Sequence, residues 1–265
     1  MTDPTLTGRY AAVDGGRLYY ETAGDHDTRP VVLVHTAGSD GRQWRYVAPA
    51  LAERGYYVVV PDLPGHGKSY PTDWESHDSI VQHAAAVWRL IDHLGLDRPA
   101  VGGCSVGGNT ILSLAIDHAD EVAAAVVMEG AGRTRGAQLG RLSHPHALPG
   151  WENVLEYSVV DAVGEDCPQG RRVELAWQHK GSHEVATNDL QGWADFDRMD
   201  ELSRADCPVM LVRGAEDYFI QDDVFKETVE RLPDVEPVVL DGVGHYPMME
   251  VPETMTDLLA GFVDR

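Results

Sequence analysis

Short apolar runs recur along the chain between turn residues. They are rich in β-branched side chains. Each is four to eight residues long, except that only the start of the run at residue 100 is assigned. The predicted strands lie at residues 17–23, 31–34, 57–60, from 100 onward, 122–128, 209–212 and 237–240. Continuous apolar runs are typical of strands covered on both faces, so the pattern predicts a parallel sheet.

Helical patterns lie between these runs. Apolar residues at three- and four-residue steps predict a helix from Ile80 to Leu94, with Gly95 as its C-terminal stop. Further helices are predicted at residues 110–118, 223–232 and 253–263. Alternating strands and helices predict an α/β fold with helices on both faces of the sheet. Catalytic groups then belong on loops at the carboxyl ends of the strands.

Residues 131–204 interrupt the alternation, because they separate two predicted strands by more than an ordinary connection. Their mostly helical apolar spacing predicts a helical lid inserted into a core domain of residues 1–130 and 205–265. A plain helical decoration is the alternative. Trp151 and Trp177 in this segment are expected to pack inside the lid or to line a substrate pocket.

Composition excludes several classes of partner. The net charge of −22 opposes binding to nucleic acid or to an anionic membrane, which require a positive surface. No apolar run approaches the ~20 residues of a membrane span, and the first residues do not resemble a signal peptide. Three cysteines are too few and too scattered for a disulfide framework or a zinc cluster. We therefore expect a cytoplasmic protein, monomeric or homodimeric, that acts on a small molecule.

The strand that begins at Ala100 leads into a G-x-S-x-G pattern at residues 103–107, followed by a helical pattern. This arrangement places Ser105 on a tight, strained turn from strand to helix, where a side chain at either flanking glycine would collide with the crossing backbone. Ser105 is the predicted nucleophile. A glycine-rich structural turn is the alternative.

A serine hydroxyl needs a base to remove its proton. His245 lies directly after the last predicted strand and before the last helix, which makes it the candidate base. Asp217, in the loop after the strand at 209–212, is the expected carboxylate that orients the histidine. Glu129 and Glu216 remain alternatives for this role.

These motifs and their order resemble the α/β-hydrolase family, in its serine-hydrolase branch with a lid between core strands six and seven. The order Ser, Asp, His matches the family. Residues 61–69 resemble its D-x-P-G-x-G-x-S segment, and residues 244–247 with Glu250 and Pro252 resemble its GH-F-P…E-x-P ending. The resemblance implies a mostly parallel eight-stranded sheet.

The resemblance also implies an oxyanion hole and a reaction without metal or cofactor. The hydrogen-bond donors of this oxyanion hole would be the backbone N–H groups of Val106 and Ala37. Thr36 replaces the usual glycine after His35, and its hydroxyl could serve as a third donor or form a local hydrogen bond. Together with Glu129, Trp151 and Trp177, Thr36 is a candidate residue of the substrate pocket.

The expected activity is hydrolysis of a small carboxylic ester, lactone or thioester through an acyl-enzyme on Ser105. Two alternatives remain open. Hydrolases of ring-fission C–C bonds also use serine, although their usual His-Gly-x-Gly-Pro-Gly loop is not matched at residues 35–38. A ligand-binding receptor on a hydrolase scaffold is the other.

Overall fold

Eight strands form a mostly parallel sheet in the computed structural model, which describes residues 5–13, 16–69, 76–134 and 157–264. The order across the sheet is β1-β2-β4-β3-β5-β6-β7-β8. β1 and β2 run antiparallel to their neighbours, and the other pairs are parallel. The strands are β1 Thr7–Val13, β2 Gly16–Ala23, β3 Arg29–Val34, β4 Tyr56–Pro61, β5 Ala100–Cys104, β6 Ala124–Met128, β7 Val209–Gly214 and β8 Val235–Leu240.

Helices cover both faces of the sheet. Val32 and Val34 of β3 pack in one apolar cluster with α2 and α3, whereas Val31 and Leu33 pack in another with α1 and α8. This alternation confirms the predicted α/β architecture, since successive side chains of a strand point to opposite faces. The helices are α1 Val47–Glu53, α2 Ile80–His93, α3 Val106–Asp117, α4 Gln169–Gln178, α5 His183–Ala194, α6 Asp222–Arg231, α7 Pro247–Glu250 and α8 Pro252–Val263, with 3-10 turns at Gly41–Trp44 and Met199–Arg204.

The helix predicted from Ile80 is α2, and local sequence explains both of its ends. The Ser79 side chain accepts a hydrogen bond from the Val81 N–H and caps the first turn. At the other end Gly95 adopts a φ of +62°, and the Leu96 N–H reaches back to the Ile91 carbonyl at 3.1 Å. This is the left-handed termination that glycine favours.

β1 and α1 are among the elements that were not predicted. β1 is an edge strand whose first four residues are exposed, so its sequence lacks the apolar run of the inner strands. α1 has seven residues, too few to establish a helical period. Both owe their structure to their packing against neighbours more than to an intrinsic pattern.

The chain between β6 and β7 is here called the inserted segment. It leaves the rest of the fold and returns to it at neighbouring points. Arg133 and Asp197 form an isolated bridge, and the Arg198 N–H donates to the Gly132 carbonyl at 2.7 Å. The described part of this segment contains α4 and α5. Its role as a lid and its limits as a domain stay predictions. In the described part of the chain, no helix combines the length and hydropathy that a bilayer crossing requires.

The turn from β5 into α3 brings several backbones unusually close. A Cβ on Gly107 would lie 2.4 Å from the Val34 carbonyl oxygen and 2.5 Å from that of His35. A Cβ on Gly103 would lie 2.4 Å from the Gly107 carbonyl oxygen. Such distances leave no room for a side chain, so α3 can begin over the end of β3 only with glycine at these positions.

Gly107→Ala is therefore expected to destabilise the protein by about 3 kcal/mol, because the colliding atoms are backbone and cannot move aside. The free energy of unfolding in urea measures this loss. Gly261→Ala in α8 is the matched control, since a Cβ there meets nothing within 4 Å. That change should stabilise the helix by about 0.5–1 kcal/mol. Equal unfolding free energies for Gly107→Ala and the wild type would contradict the crossing described here.

Candidate active site

The residues singled out from the sequence lie on loops at one edge of the sheet. Ser105 follows β5, Glu129 follows β6, Asp217 follows β7 and His245 follows β8. Ala37 lies in the loop after β3. Because β3 and β5 to β8 are parallel, their carboxyl ends meet at this edge.

Ser105 occupies a strained backbone conformation, with φ +58° and ψ −119°. Its N–H donates to the Met128 carbonyl at 2.9 Å, and its carbonyl accepts from the Asn109 N–H at 2.9 Å. The first bond ties the turn to β6, and the second begins the hydrogen bonds of α3. A non-glycine residue in this region of φ and ψ persists only where the surroundings enforce it, and such strain is concentrated at functional sites.

His245 and Asp217 form a buried hydrogen-bonded pair. The His245 Nδ1–H donates to Asp217 Oδ2 at 3.0 Å, and the Phe219 N–H donates to Asp217 Oδ1 at 2.8 Å. Burial by itself would raise the pKa of Asp217, but the contact with His245 holds that pKa below its usual range. Asp217 is thus an ionised acceptor that fixes the tautomer of His245 and leaves Nε2 as the basic nitrogen.

The histidine loop is joined directly to the serine turn. The Cys104 thiol donates to the His245 carbonyl at 3.2 Å, and the His245 N–H donates to the Ala162 carbonyl at 2.8 Å. Burial raises the pKa of Cys104 well above its usual range, so the thiol keeps its proton. Cys104 therefore acts as a small buried donor. Because Ser105 is the next residue in the chain, this bond ties the backbone of His245 to the serine turn.

Glu129 is buried beside Asp217 and adopts a φ of +46°. Its Oε1 accepts the Gly214 N–H at 2.6 Å. Burial and the neighbouring Asp217 carboxylate raise the pKa of Glu129 well above its usual range, which favours the neutral carboxyl. The other candidate acid, Glu216, is exposed and accepts the N–H of Glu165 at 2.7 Å, away from the histidine.

Within the described residues, the same three side chains form the group that could hold a metal ion. Ligand atoms of Glu129, Asp217 and His245 lie within 4.8 Å of one another. His245 Nδ1 and Asp217 Oδ2 are already bonded to each other, and Glu129 is protonated. A metal ion would have to displace both the hydrogen bond and that proton.

The loop after β3 is held by a side chain that the sequence did not reveal. Buried Gln43 makes two bonds to Thr36: Oε1 accepts the Thr36 N–H at 3.0 Å, and Nε2 donates to the Thr36 hydroxyl at 3.0 Å. The hydroxyl proton is then available to His179 Nε2, 3.2 Å away. The Thr36 hydroxyl thus has partners in both Gln43 and His179, and neither is its own backbone. Its role as a third oxyanion donor stays a prediction.

His179, at the end of α4, is a second residue that the sequence did not single out. Its Nδ1–H donates to the Leu175 carbonyl at 2.8 Å, so Nε2 is an acceptor that lies 3.4 Å from the Tyr246 hydroxyl as well as near Thr36. Burial lowers the pKa of His179 to about 4. A neutral histidine of the inserted segment therefore joins the loops that carry Ala37 and His245.

The predicted pocket tryptophans have different outcomes. Trp177 is 67% exposed, and its ring lies 4.8 Å from the Lys180 ammonium. It falls on the face of α4 opposite the buried Leu175, so the expectation that it lines a pocket needs correction. Trp151 lies outside the described residues. Among the described tryptophans, Trp193 packs edge-on against Phe219, whose ring centroid lies 4.8 Å from that of His245.

His179 gives the protein a specific acid sensitivity. An unfolded histidine titrates near 6.5, whereas His179 in the folded protein titrates at about 4. Between these values the unfolded chain binds a proton that the folded protein does not, so stability falls as the pH is lowered from ~6.5 to ~4. His179→Gln keeps an acceptor for Thr36 and removes the titrating ring.

Urea unfolding at pH 7 and pH 5 measures this effect. The wild type should lose about 2 kcal/mol more than His179→Gln across this interval. His93→Gln, at an exposed histidine of α2, is the control and should keep the wild-type difference. Equal losses in the wild type and His179→Gln would refute the assignment.

Known proteins share this architecture. A protein of Caulobacter sp. (strain K31) assigned as a carbamate hydrolase is 28% identical over 280 residues, covering 99% of this chain and 98% of the relative. A 2-hydroxy-6-oxononadienedioate/2-hydroxy-6-oxononatrienedioate hydrolase of Pseudomonas sp is 26% identical over 268 residues, covering 94% and 93%. The enol-lactonase from Burkholderia xenovorans LB400 has the same fold, with a TM-score of 0.86 at 21% identity, covering 97% of this chain and 100% of that chain.

The family comparison agrees with the sheet order and with the motifs. The model of the alpha/beta hydrolase fold family matches residues 29–162, just over half of the 265 residues. The match includes the loop after β3 and the serine turn, and the similar proteins extend over nearly the whole chain. The chain therefore belongs to the alpha/beta hydrolase fold family.

Proposed function

We propose that this hydrolase cleaves a small carboxylic ester, lactone or thioester through an acyl-enzyme on Ser105. The observation that carries the proposal is the strained turn at Ser105, joined through Cys104 to the carbonyl of a histidine that is itself oriented by Asp217. A nucleophile, a base and an orienting acid in this relation are the requirements for acyl transfer by serine.

The proposed reaction has two halves. His245 Nε2 takes the proton of Ser105 while Oγ attacks the carbonyl carbon, and the Ala37 and Val106 N–H groups stabilise the oxyanion. The C–O or C–S bond breaks, and His245 returns the proton to the leaving alcohol or thiol. Water then attacks the acyl-enzyme with His245 as base and releases the acid and Ser105. Each N–H donor contributes about 3 kcal/mol to the stabilisation of the transition state.

The comparisons support hydrolysis of a carboxyl-type bond. A lactone is an internal ester, and one structural neighbour is an enol-lactonase. The Caulobacter relative is assigned as a carbamate hydrolase, which likewise acts on a carbonyl carbon bonded to oxygen and nitrogen. We also keep the cytoplasmic setting as a proposal, on the basis of the cysteine content.

C–C bond hydrolysis is the second candidate, favoured by the similarity to the 2-hydroxy-6-oxononadienedioate hydrolase of Pseudomonas. Such a substrate carries two carboxylates and would need cationic side chains near Ser105. Within the described residues, the arginine nearest in sequence to the triad, Arg213, already bonds to Asp222 and to the Ile220 carbonyl. For this reason we rank the ester reaction first.

Hydrolysis of p-nitrophenyl esters from acetate to decanoate tests the proposal. Ser105→Ala should lower kcat at least about 10³-fold, because no other group forms the acyl-enzyme. Ser113→Ala, at a buried serine two turns along α3, is the matched control and should stay within twofold of the wild type. Full activity in Ser105→Ala would reject Ser105 as nucleophile. A wild type that hydrolyses none of these esters but turns over ring-fission products would favour C–C bond hydrolysis.

Paired amide substitutions separate the two buried acids. Asp217→Asn should lower kcat by about 10³–10⁴-fold, because asparagine no longer fixes the required histidine tautomer. Glu129→Gln should cost less than about tenfold, since glutamine is neutral, has nearly the same shape and still accepts the Gly214 N–H. Steady-state kinetics with the same esters decide between them. The reverse ranking would assign the orienting role to Glu129.

A further inference from the structure

Asp189 is a buried carboxylate of the inserted segment. It lies in α5, and its side chain is 0% exposed. It shares the inward face of the helix with Val185 and Ala186, which are also buried. A carboxylate at this depth is stable only with charged or hydrogen-bonding partners.

Three groups of the core supply those partners. His66 Nε2 lies 2.6 Å from Asp189 Oδ2, His83 Nε2 lies 3.0 Å from Oδ1, and the Gly38 N–H donates to Oδ2 at 2.8 Å. Burial disfavours charge on both members of the His66–Asp189 pair. Their mutual attraction nevertheless raises the pKa of His66 and holds that of Asp189 below its usual range. The pair is therefore ionic and anchors α5 to the core.

The bond to Gly38 is distinctive because of its place in the chain. Gly38 directly follows Ala37, and Thr36 directly precedes it. The Thr36 N–H is bound to Gln43 at 3.0 Å, and the Gly38 N–H is bound to Asp189. Among the hydrogen bonds that join described residues, none uses the Ala37 N–H. Buried side chains thus hold the N–H groups on either side of Ala37 and leave its own N–H available.

α5 also packs tightly on this loop. Gly38 has a φ of +60°, and a Cβ there would lie 3.0 Å from the Ala186 Cβ. Gly65, with a φ of +85°, faces Val185 at the same distance. Glycines at two loops therefore permit the close approach of the helix, so the position of α5 and the shape of residues 36–38 depend on each other.

We propose that Asp189 is a positioning residue of the oxyanion hole. By accepting the Gly38 N–H, it fixes the loop in the conformation that presents the Ala37 N–H to the acyl oxygen. The inference rests on the acyl transfer proposed above, and it gives Asp189, one residue of the inserted segment, a role in positioning the oxyanion donor. A misplaced oxyanion donor weakens the transition state more than the bound ester, so its loss lowers kcat and leaves KM nearly unchanged.

Asp189→Asn tests the role with the size of the side chain preserved, and Asp189→Ala removes the acceptor. With p-nitrophenyl acetate, Asp189→Asn should lower kcat about tenfold with KM within threefold, and Asp189→Ala should lower kcat further. Hydrogen exchange of the Gly38 amide, followed by NMR, should accelerate in both variants. Glu184→Gln removes an exposed carboxylate from the same helix and should match the wild type in every measurement.

Near-UV circular dichroism establishes whether the variants are folded. If Asp189→Ala does not fold, the kinetics and hydrogen exchange of Asp189→Asn alone test the positioning role. A kcat within twofold of the wild type, a change confined to KM, or unaltered exchange at Gly38 would overturn the positioning role. These results are distinct from failure of the acyl-enzyme proposal. That failure appears as wild-type turnover that does not depend on Ser105, and it would overturn this inference as well.

Discussion

The crossing of backbones at the serine turn is the constraint on which the rest of the site depends. Gly107 lies against the carbonyl oxygens of Val34 and His35, and Gly108 against that of Met128, at distances that exclude a Cβ. The Ser105 N–H is bound to the same Met128 carbonyl. The turn is thereby fixed against the ends of β3 and β6 together. The loop of the proposed oxyanion hole starts at His35 and Glu129 follows Met128, so one close contact sets the positions of both.

Local sequence signals were sufficient to predict the parts of the site that this crossing controls. Glycine is required at positions 103 and 107 because a side chain there would collide with nearby backbone atoms. The sequence pattern around Ser105 therefore predicts this turn. Asp217 follows the buried strand β7 and His245 follows the partly exposed edge strand β8, and the parallel order of the sheet brings the carboxyl ends of those strands together. A strand that is buried on both faces leaves a clear apolar run, whereas the exposed edge strand β1 leaves none.

Residues that act across long sequence separations could not be predicted in the same way. His179 meets Thr36 across 143 positions, and Asp189 meets Gly38 across 151. Both contacts depend on how the inserted segment folds back, which no local pattern specifies. One signal did exist: Asp189 lies within the apolar stripe formed by Val185, Ala186 and Trp193. A carboxylate on the buried face of an amphipathic helix implies a buried partner. By contrast, only its residue type made Trp177 a candidate residue of the substrate pocket.

The management of buried charge follows from the chemistry proposed for Ser105. The chain carries a net charge of −22, yet acyl transfer develops further negative charge beside β5. An ionised carboxylate there is tolerable only if its charge is compensated. Asp217 is balanced by His245 and the Phe219 N–H, and Asp189 by His66 and the Gly38 N–H. The pKa of Glu129 is raised instead, because burial and the Asp217 carboxylate outweigh the attraction of Arg213 and the bond from the Gly214 N–H.

A neutral Glu129 avoids a second negative charge beside Asp217, close to where the proposed reaction develops an oxyanion. A second ionised carboxylate within 4.8 Å of His245 would also bind the proton of the imidazolium more tightly and oppose its return to the leaving group. The neutral acid avoids this cost. Burial of Glu129 against Gly214 therefore leaves Asp217 as the ionised carboxylate that orients His245.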